Sequence, residues 1–211
     1  MPYFDVLNAD HIDILKEIGN IGAGNAATAL SKLLNKKIEM NVPDVKVISF
    51  DEMMEVVGGA DNVVASVFLR IEGDVSGNMF FILSLEQAER FIQQMTGDKN
   101  LTFANETTGL GVSALQELGN ILAGSYLSAL GDFTKLKLYP SVPALSIDMI
   151  GAILGYGLIE ISRVGDIAIV IDTALHEENQ SQDSVNGHFF LLPDPESFEP
   201  IFRALGVAGN E

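Results

Sequence analysis

Asp13 to Leu30 reads DILKEIGNIGAGNAATAL, and Ser113 to Leu130, one hundred residues later, reads SALQELGNILAGSYLSAL. Glu17, Gly19, Asn20, Ala23 and Gly24 return as Glu117, Gly119, Asn120, Ala123 and Gly124, and Pro43 returns as Pro143. Correspondence without slippage over about thirty residues is the mark of an internal duplication. The 211 residues therefore read as one domain built of two repeats, residues 1–100 and 101–211.

Composition bounds what such a chain can do. Apolar residues make up 47 % and charged residues 19 %, enough for a packed core and too apolar for a disordered tail. A formal charge of −17 repels a phosphate backbone, so nucleic acid is not an expected partner. The absence of cysteine rules out disulfides and thiolate metal sites, in keeping with a reducing compartment. The start, MPYFDVLNAD, lacks the basic segment and apolar run of a secretory signal. The most apolar stretch, Val142 to Ile161, is interrupted by Asp148 and Glu160, so no membrane insertion is expected. The expectation is a cytoplasmic, monomeric protein.

Around the repeated stretch the elements fall in order. Apolar Ile12, Leu15, Ile18, Ala26, Leu30, Leu33 and Leu34 carry a helix from about 10 to 35, with Asp10 as its N-cap. Gly19, Gly22 and Gly24 weaken it by roughly 1 kcal/mol each, which close approach of a neighbouring helix or strand would justify. Short strands follow at Lys37 to Met40 and Val45 to Ile48, on either side of Pro43. Ser49 and Glu52 form a capping box for a helix from Phe50 to Val57. Val63 to Ile71 and Val75 to Leu83 form a hairpin, and a helix from Leu85 to Thr96 stops at Gly97. DKNLTFANE then joins the halves.

The second half repeats this order: helix Thr107 to Leu130, strands Lys135 to Leu138 and Val142 to Ser146, hairpin strands Ile167 to Ala174 and His188 to Leu192, and helix Ser197 to Leu205. The hairpin strands are joined by the polar HEENQSQDSVNG. Met149 to Ile161 reads either as one buried helix or as a shorter helix and a strand, and the helix is preferred. Hairpins and antiparallel connections predict an α+β, two-layer sandwich with pseudo-two-fold symmetry, its helices on one face of an antiparallel sheet.

At 100° per residue, Asp13, Glu17 and Asn20 lie at about 0°, 40° and −20°, on one narrow stripe of the helix. Ser113, Glu117 and Asn120 form the same stripe. Spacing alone fits a functional surface as well as inherited surface residues. Two carboxylates could make an acid/base pair, but Asp13 becomes serine in the second copy. Residues three beyond each glutamate are asparagine, not the histidine of a di-metal carboxylate site, and His11, His176 and His188 have no ligand spacing. No phosphate-cradling loop and no nucleophile elbow is present. An amide can still accept from and donate to a water, and so aim it. That suffices for phosphoryl transfer, whose loose transition state asks mainly for positioning.

The pattern Asp/Ser-x-x-x-Glu-x-x-Asn, with proline at the spacing of Asn20 to Pro43, resembles the CheC, CheX and FliY family of response-regulator phosphatases. Two intact copies, and no motor-type domain expected after Glu211, place the chain with the two-site members rather than single-site CheX or longer FliY. The resemblance implies a substrate, the aspartyl phosphate of CheY. By it, Asn20 and Asn120 orient the attacking water, and Glu17 and Glu117 pair with the regulator's active-site lysine. Asp13 and Ser113 become accessory residues, and Pro43 and Pro143 structural ones. The family requires no cofactor of its own, since the Mg2+ resides on CheY. It also implies a second partner, the receptor deamidase CheD, expected near SIDMIGAI at Asp148, which equally suits a carboxylate opposing a helix dipole. The alternative is a module that binds CheY or CheD without turnover.

Overall fold

A computed structural model describes residues 9–105, 109–161, 167–178 and 184–206. The first half comprises α1 (Ala9–Leu34), β1 (Ile38–Asn41), β2 (Val45–Ser49), α2 (Phe50–Val56), β3 (Val63–Gly73), β4 (Gly77–Ser84) and α3 (Leu85–Thr96). The second comprises α4 (Leu110–Thr134), β5 (Leu138–Pro140), β6 (Ala144–Met149), α5 (Ile150–Ile161), β7 (Ile167–Glu177), β8 (Val185–Pro193) and α6 (Pro195–Ala204).

Local chemistry sets several boundaries. The Ser49 hydroxyl accepts the Glu52 N–H while the Glu52 carboxylate accepts the Ser49 N–H, the expected capping box. The Ser49 N–H and hydroxyl both donate to the Glu52 carboxylate, and these bonds hold its carboxyl below the usual range. Ser84 caps α3, and Gly97 ends it at a φ of 75°, a left-handed conformation that glycine adopts without strain. Pro195 opens α6, where its fixed φ suits the first turn and its missing N–H costs nothing.

Eight strands form one antiparallel sheet in the order β1-β7-β8-β4-β3-β5, with β2 also on β7 and β6 also on β3. The order is symmetric about the β4–β8 pair, where Phe80 faces Phe190 and Phe81 faces Phe189. The repeats exchange their short strands: β1 and β2 lie on β7 of the second half, β5 and β6 on β3 of the first.

The class and the antiparallel sheet are as expected, with one addition. Met79, Phe81, Leu83, Phe189 and Leu191 face a core under α1, α3, α4 and α6. Their neighbours Phe80, Ile82, Phe190 and Leu192 face the other way, under α2 and α5. The central strands thus bury both faces, which accounts for their nearly unbroken apolar run.

Several boundaries move. Thr107 lies outside the described residues, and α4 begins at Leu110. It runs one turn past Leu130, because the buried Thr134 hydroxyl donates to the Leu130 carbonyl at 2.7 Å. Lys135, at a φ of 63°, ends it, so the strand read over Lys135 to Leu138 forms only at β5. The strand read over Val142 to Ser146 is β6, shifted to Ala144–Met149, because its ladder partner is Val63 to Phe68. His176 belongs to β7, which pairs with β1 as far as Glu177. Ile150–Ile161 is the preferred helix.

Candidate functional site

Both long helices present the expected stripe. On α1, Ile18, Gly19, Gly22 and Ala23 are buried, while Asp13, Glu17 and Asn20 are exposed. On α4, Leu118, Gly119, Leu122 and Ala123 are buried, and Ser113, Glu117 and Asn120 are exposed. The same 3.6-residue period therefore seats each helix and turns its acid and amide outward. Among the described residues, Glu17, Glu117 and Asp13 have no hydrogen bond or ion pair, so each carboxylate is available to a cation brought from outside. The Ser113 hydroxyl is turned back on the Gly109 carbonyl at 3.0 Å, so serine does not copy aspartate at this position.

The glycines divide. A Cβ on Gly22 would collide with the Tyr126 ring and stand 3.1 Å from its Cα, so α1 and α4 touch there through a missing side chain. A Cβ on Gly119 would collide with Val67 of β3. At Gly19 the same atom would make ordinary contact, 3.5 Å from Val42 and 3.6 Å from Ile171. Gly24 and Gly124 have open space around the missing Cβ, so close approach within the chain explains Gly22 and Gly119 but not these two. Tyr126 fills the seam between the helices. Its hydroxyl hydrogen-bonds with the Thr173 hydroxyl at 3.0 Å, and burial pushes its pKa up to about 12.

Pro43 and Pro143 lie outside strands, in the links between β1 and β2 and between β5 and β6. The Val42 N–H donates to Asn20 Oδ1 at 3.3 Å, joining the first link to the first site. Two residues on from Val42, the Asp44 carboxylate lies 2.9 Å from the Lys46 ammonium, which holds that carboxyl below its ordinary range. The second link is tied elsewhere: the Ser141 N–H donates to the Arg70 carbonyl at 2.8 Å, and Ser141 Oγ accepts the Arg70 N–H at 2.9 Å. The Arg70 guanidinium bonds Asn78 and the buried Asp194 carboxylate, whose other hydrogen bond comes from the Ser76 hydroxyl at 2.6 Å. Sequence reasoning missed this network, because Arg70 and Asp194 are 124 residues apart and carry no motif.

Asp148 is exposed near the end of β6, its carboxylate accepting the Met149 N–H at 2.7 Å. Ile147 and Met149 beside it are exposed as well. By register, Ser49 and Met149 hold matching positions opposite Ile167 and Val63, so Asp148 stands where the first half has Ile48, which is buried. His176 pairs with Glu39 and His188 with Asp172, each across a strand pair. Among the described residues no three His, Asp or Glu side chains gather as a metal-binding set, and no helix is long and apolar enough to cross a membrane.

The model of the CheC-like family matches residues 11–47 and 110–147, the two stretches that carry the stripes and prolines. The chain is 52 % identical to the CheY-P phosphatase CheC of Bacillus subtilis (strain 168), over 99 % of this chain and all of that one. It is 29 % identical to the flagellar motor switch phosphatase FliY of the same organism, over 70 % of this chain and 38 % of FliY. Among solved structures, Thermotoga maritima FliY superposes with a TM-score of 0.67 at 18 % identity, covering 95 % of this chain and 98 % of that chain. The FliM middle domain from H. pylori gives the same TM-score at 12 % identity, covering 94 % and 99 %. At such identities these structures speak for the fold alone. The relative at 52 % identity and full length, with the family match on both repeats, settles kinship: the chain belongs to the CheC-like family.

Proposed function

We propose that the chain is a hydrolase that removes the phosphoryl group from the aspartyl phosphate of CheY, at two sites. The observation that carries the reading is the paired stripe: in each half an exposed glutamate without a partner stands one helical turn before an exposed asparagine. The full-length relative named as a CheY-P phosphatase supports it.

Each helix enters the regulator's phosphorylated site. Glu17 or Glu117 pairs with the regulator's active-site lysine and fixes the register. Asn20 or Asn120 bonds the attacking water, so that its oxygen lies in line with the aspartyl oxygen that leaves. The water oxygen bonds to phosphorus as the P–O bond to aspartate breaks, giving inorganic phosphate and the free carboxylate, with the water's proton passing to the phosphate. An amide contributes no base strength, and the reaction asks for little, since positioning dominates. The Mg2+ is held by CheY. Phosphate release from labelled CheY, with and without the chain, tests the activity: faster release is expected, and an unchanged decay would sink the proposal.

CheD is proposed as a second partner, docking on β6 about Asp148. What supports this is an exposed strand carrying Ile147, Asp148 and Met149, where its first-half counterpart carries a buried isoleucine. Asp148→Lys should abolish capture of purified CheD while phosphate release continues. Undiminished capture would remove Asp148 from that surface.

A further inference from the structure

The two sites differ behind the asparagine. At the first, the Val42 N–H donates to Asn20 Oδ1 at 3.3 Å. A backbone donor can pair only with the amide oxygen, so this bond selects one of the two amide orientations and leaves the Nδ2 hydrogens uncommitted. The donor is itself held in place. Pro43 restricts the preceding residue to extended backbone, and the Val42 side chain is 4 % exposed, seated over Gly19 in the same buried core as Ile171.

At the second site Pro143 is present but the seat is taken. Val67 of β3 fills the notch over Gly119, Val142 is 87 % exposed, and Ser141 draws the link toward Arg70. Among the described residues the Asn120 side chain has no hydrogen bond.

We propose that Val42 is a positioning residue of the first site alone: its backbone N–H sets the Asn20 amide before the regulator docks. Asn120 has no such aid and is ordered only on docking. The proposal rests on the water-orienting reading of the asparagines. Fixing one side chain in advance is worth about a 3- to 10-fold rate difference.

The test uses single-site proteins, Asn120→Ala to isolate the first site and Asn20→Ala to isolate the second. In each, an amide-to-ester replacement at Val42 removes the N–H while keeping the side chain, and Val42→Pro serves as its genetic counterpart. Turnover of phosphorylated CheY in the Asn120→Ala protein should lose about 3- to 10-fold in kcat, with KM little changed. The Asn20→Ala protein should be unaffected, which also shows that the fold survives. The matching ester at Val142 should alter neither protein. Equal kcat with and without the Val42 N–H in the Asn120→Ala protein would overturn the proposal, and so would an equal loss at both sites. Undiminished turnover in the Asn20→Ala, Asn120→Ala double variant would instead overturn the underlying reading of the asparagines.

Discussion

The first and second sites share the glutamate and asparagine of their helix stripe, their glycine beneath the amide and their proline downstream, and they part company in what lies between. At the first, Val42 is buried over Gly19 and holds Asn20. At the second, Val67 occupies the notch and Val142 stands in solvent. Identical residues at identical spacing thus give different surroundings, because the strand beneath each helix is supplied by the other repeat and has its own sequence. Duplication preserved the exposed glutamates and asparagines and left what packs beneath them free to diverge.

The largest effects fall on the groups the sites share. In an Asn120→Ala protein, adding Asn20→Ala should lower phosphate release by about 10²-fold, as expected for a lost positioning group. The converse pair of variants should behave alike, and a residual rate near that of the parent at either site would break the symmetry of the two. Turnover by each single-site protein measures what their different surroundings are worth.

Tyr126 of α4 packs against Gly22 of α1. Its pKa near 12 in the folded chain lies above that of free tyrosine, near 10, so the folded state holds this proton more tightly than the unfolded state does. The resulting stability is fully present below about pH 10 and is lost as the pH rises to about 12, an amount on the order of 2 kcal/mol. Denaturation at pH 9 and pH 12 should show that loss in the parent and not in Tyr126→Phe. An unchanged slope in the variant would assign it to another group.

The beds beneath the helices should respond differently to one methyl group. Gly119→Ala drives a Cβ into Val67 and should destabilise by about 1–2 kcal/mol. Gly19→Ala makes only ordinary contact and should leave stability within about 1 kcal/mol of the parent, because the helix gains alanine's propensity. Equal melting temperatures for the two variants would contradict the difference in packing. Smallest of all, Gly24→Ala and Gly124→Ala meet open space and should stabilise each helix by about 0.5–1 kcal/mol.

Much of this molecule is legible in its residues for stated reasons. Helical periodicity, the Ser49 and Glu52 cap and the stop at Gly97 are local, and all stand in the structure. The stripe is legible because a second copy separates what recurs from what drifts. Strand exchange is not: the apolar runs of β3 and β7 require burial but do not name the strands beside them, and each could have taken its own repeat's neighbours. The extra turn of α4 depends on the Thr134 hydroxyl finding the Leu130 carbonyl, and it displaced the strand read at Lys135. Val42 was hidden most completely, since Val142 is the same residue at the same spacing and only packing tells them apart.

In the proposed reaction each asparagine aims the attacking water at its own site. That role is tested most directly by following phosphate loss from labelled CheY with the Asn20→Ala, Asn120→Ala double variant, its binding to phosphorylated CheY measured alongside. Binding should persist and acceleration disappear. A double variant that binds and still accelerates phosphate loss at the parent's rate would contradict that role.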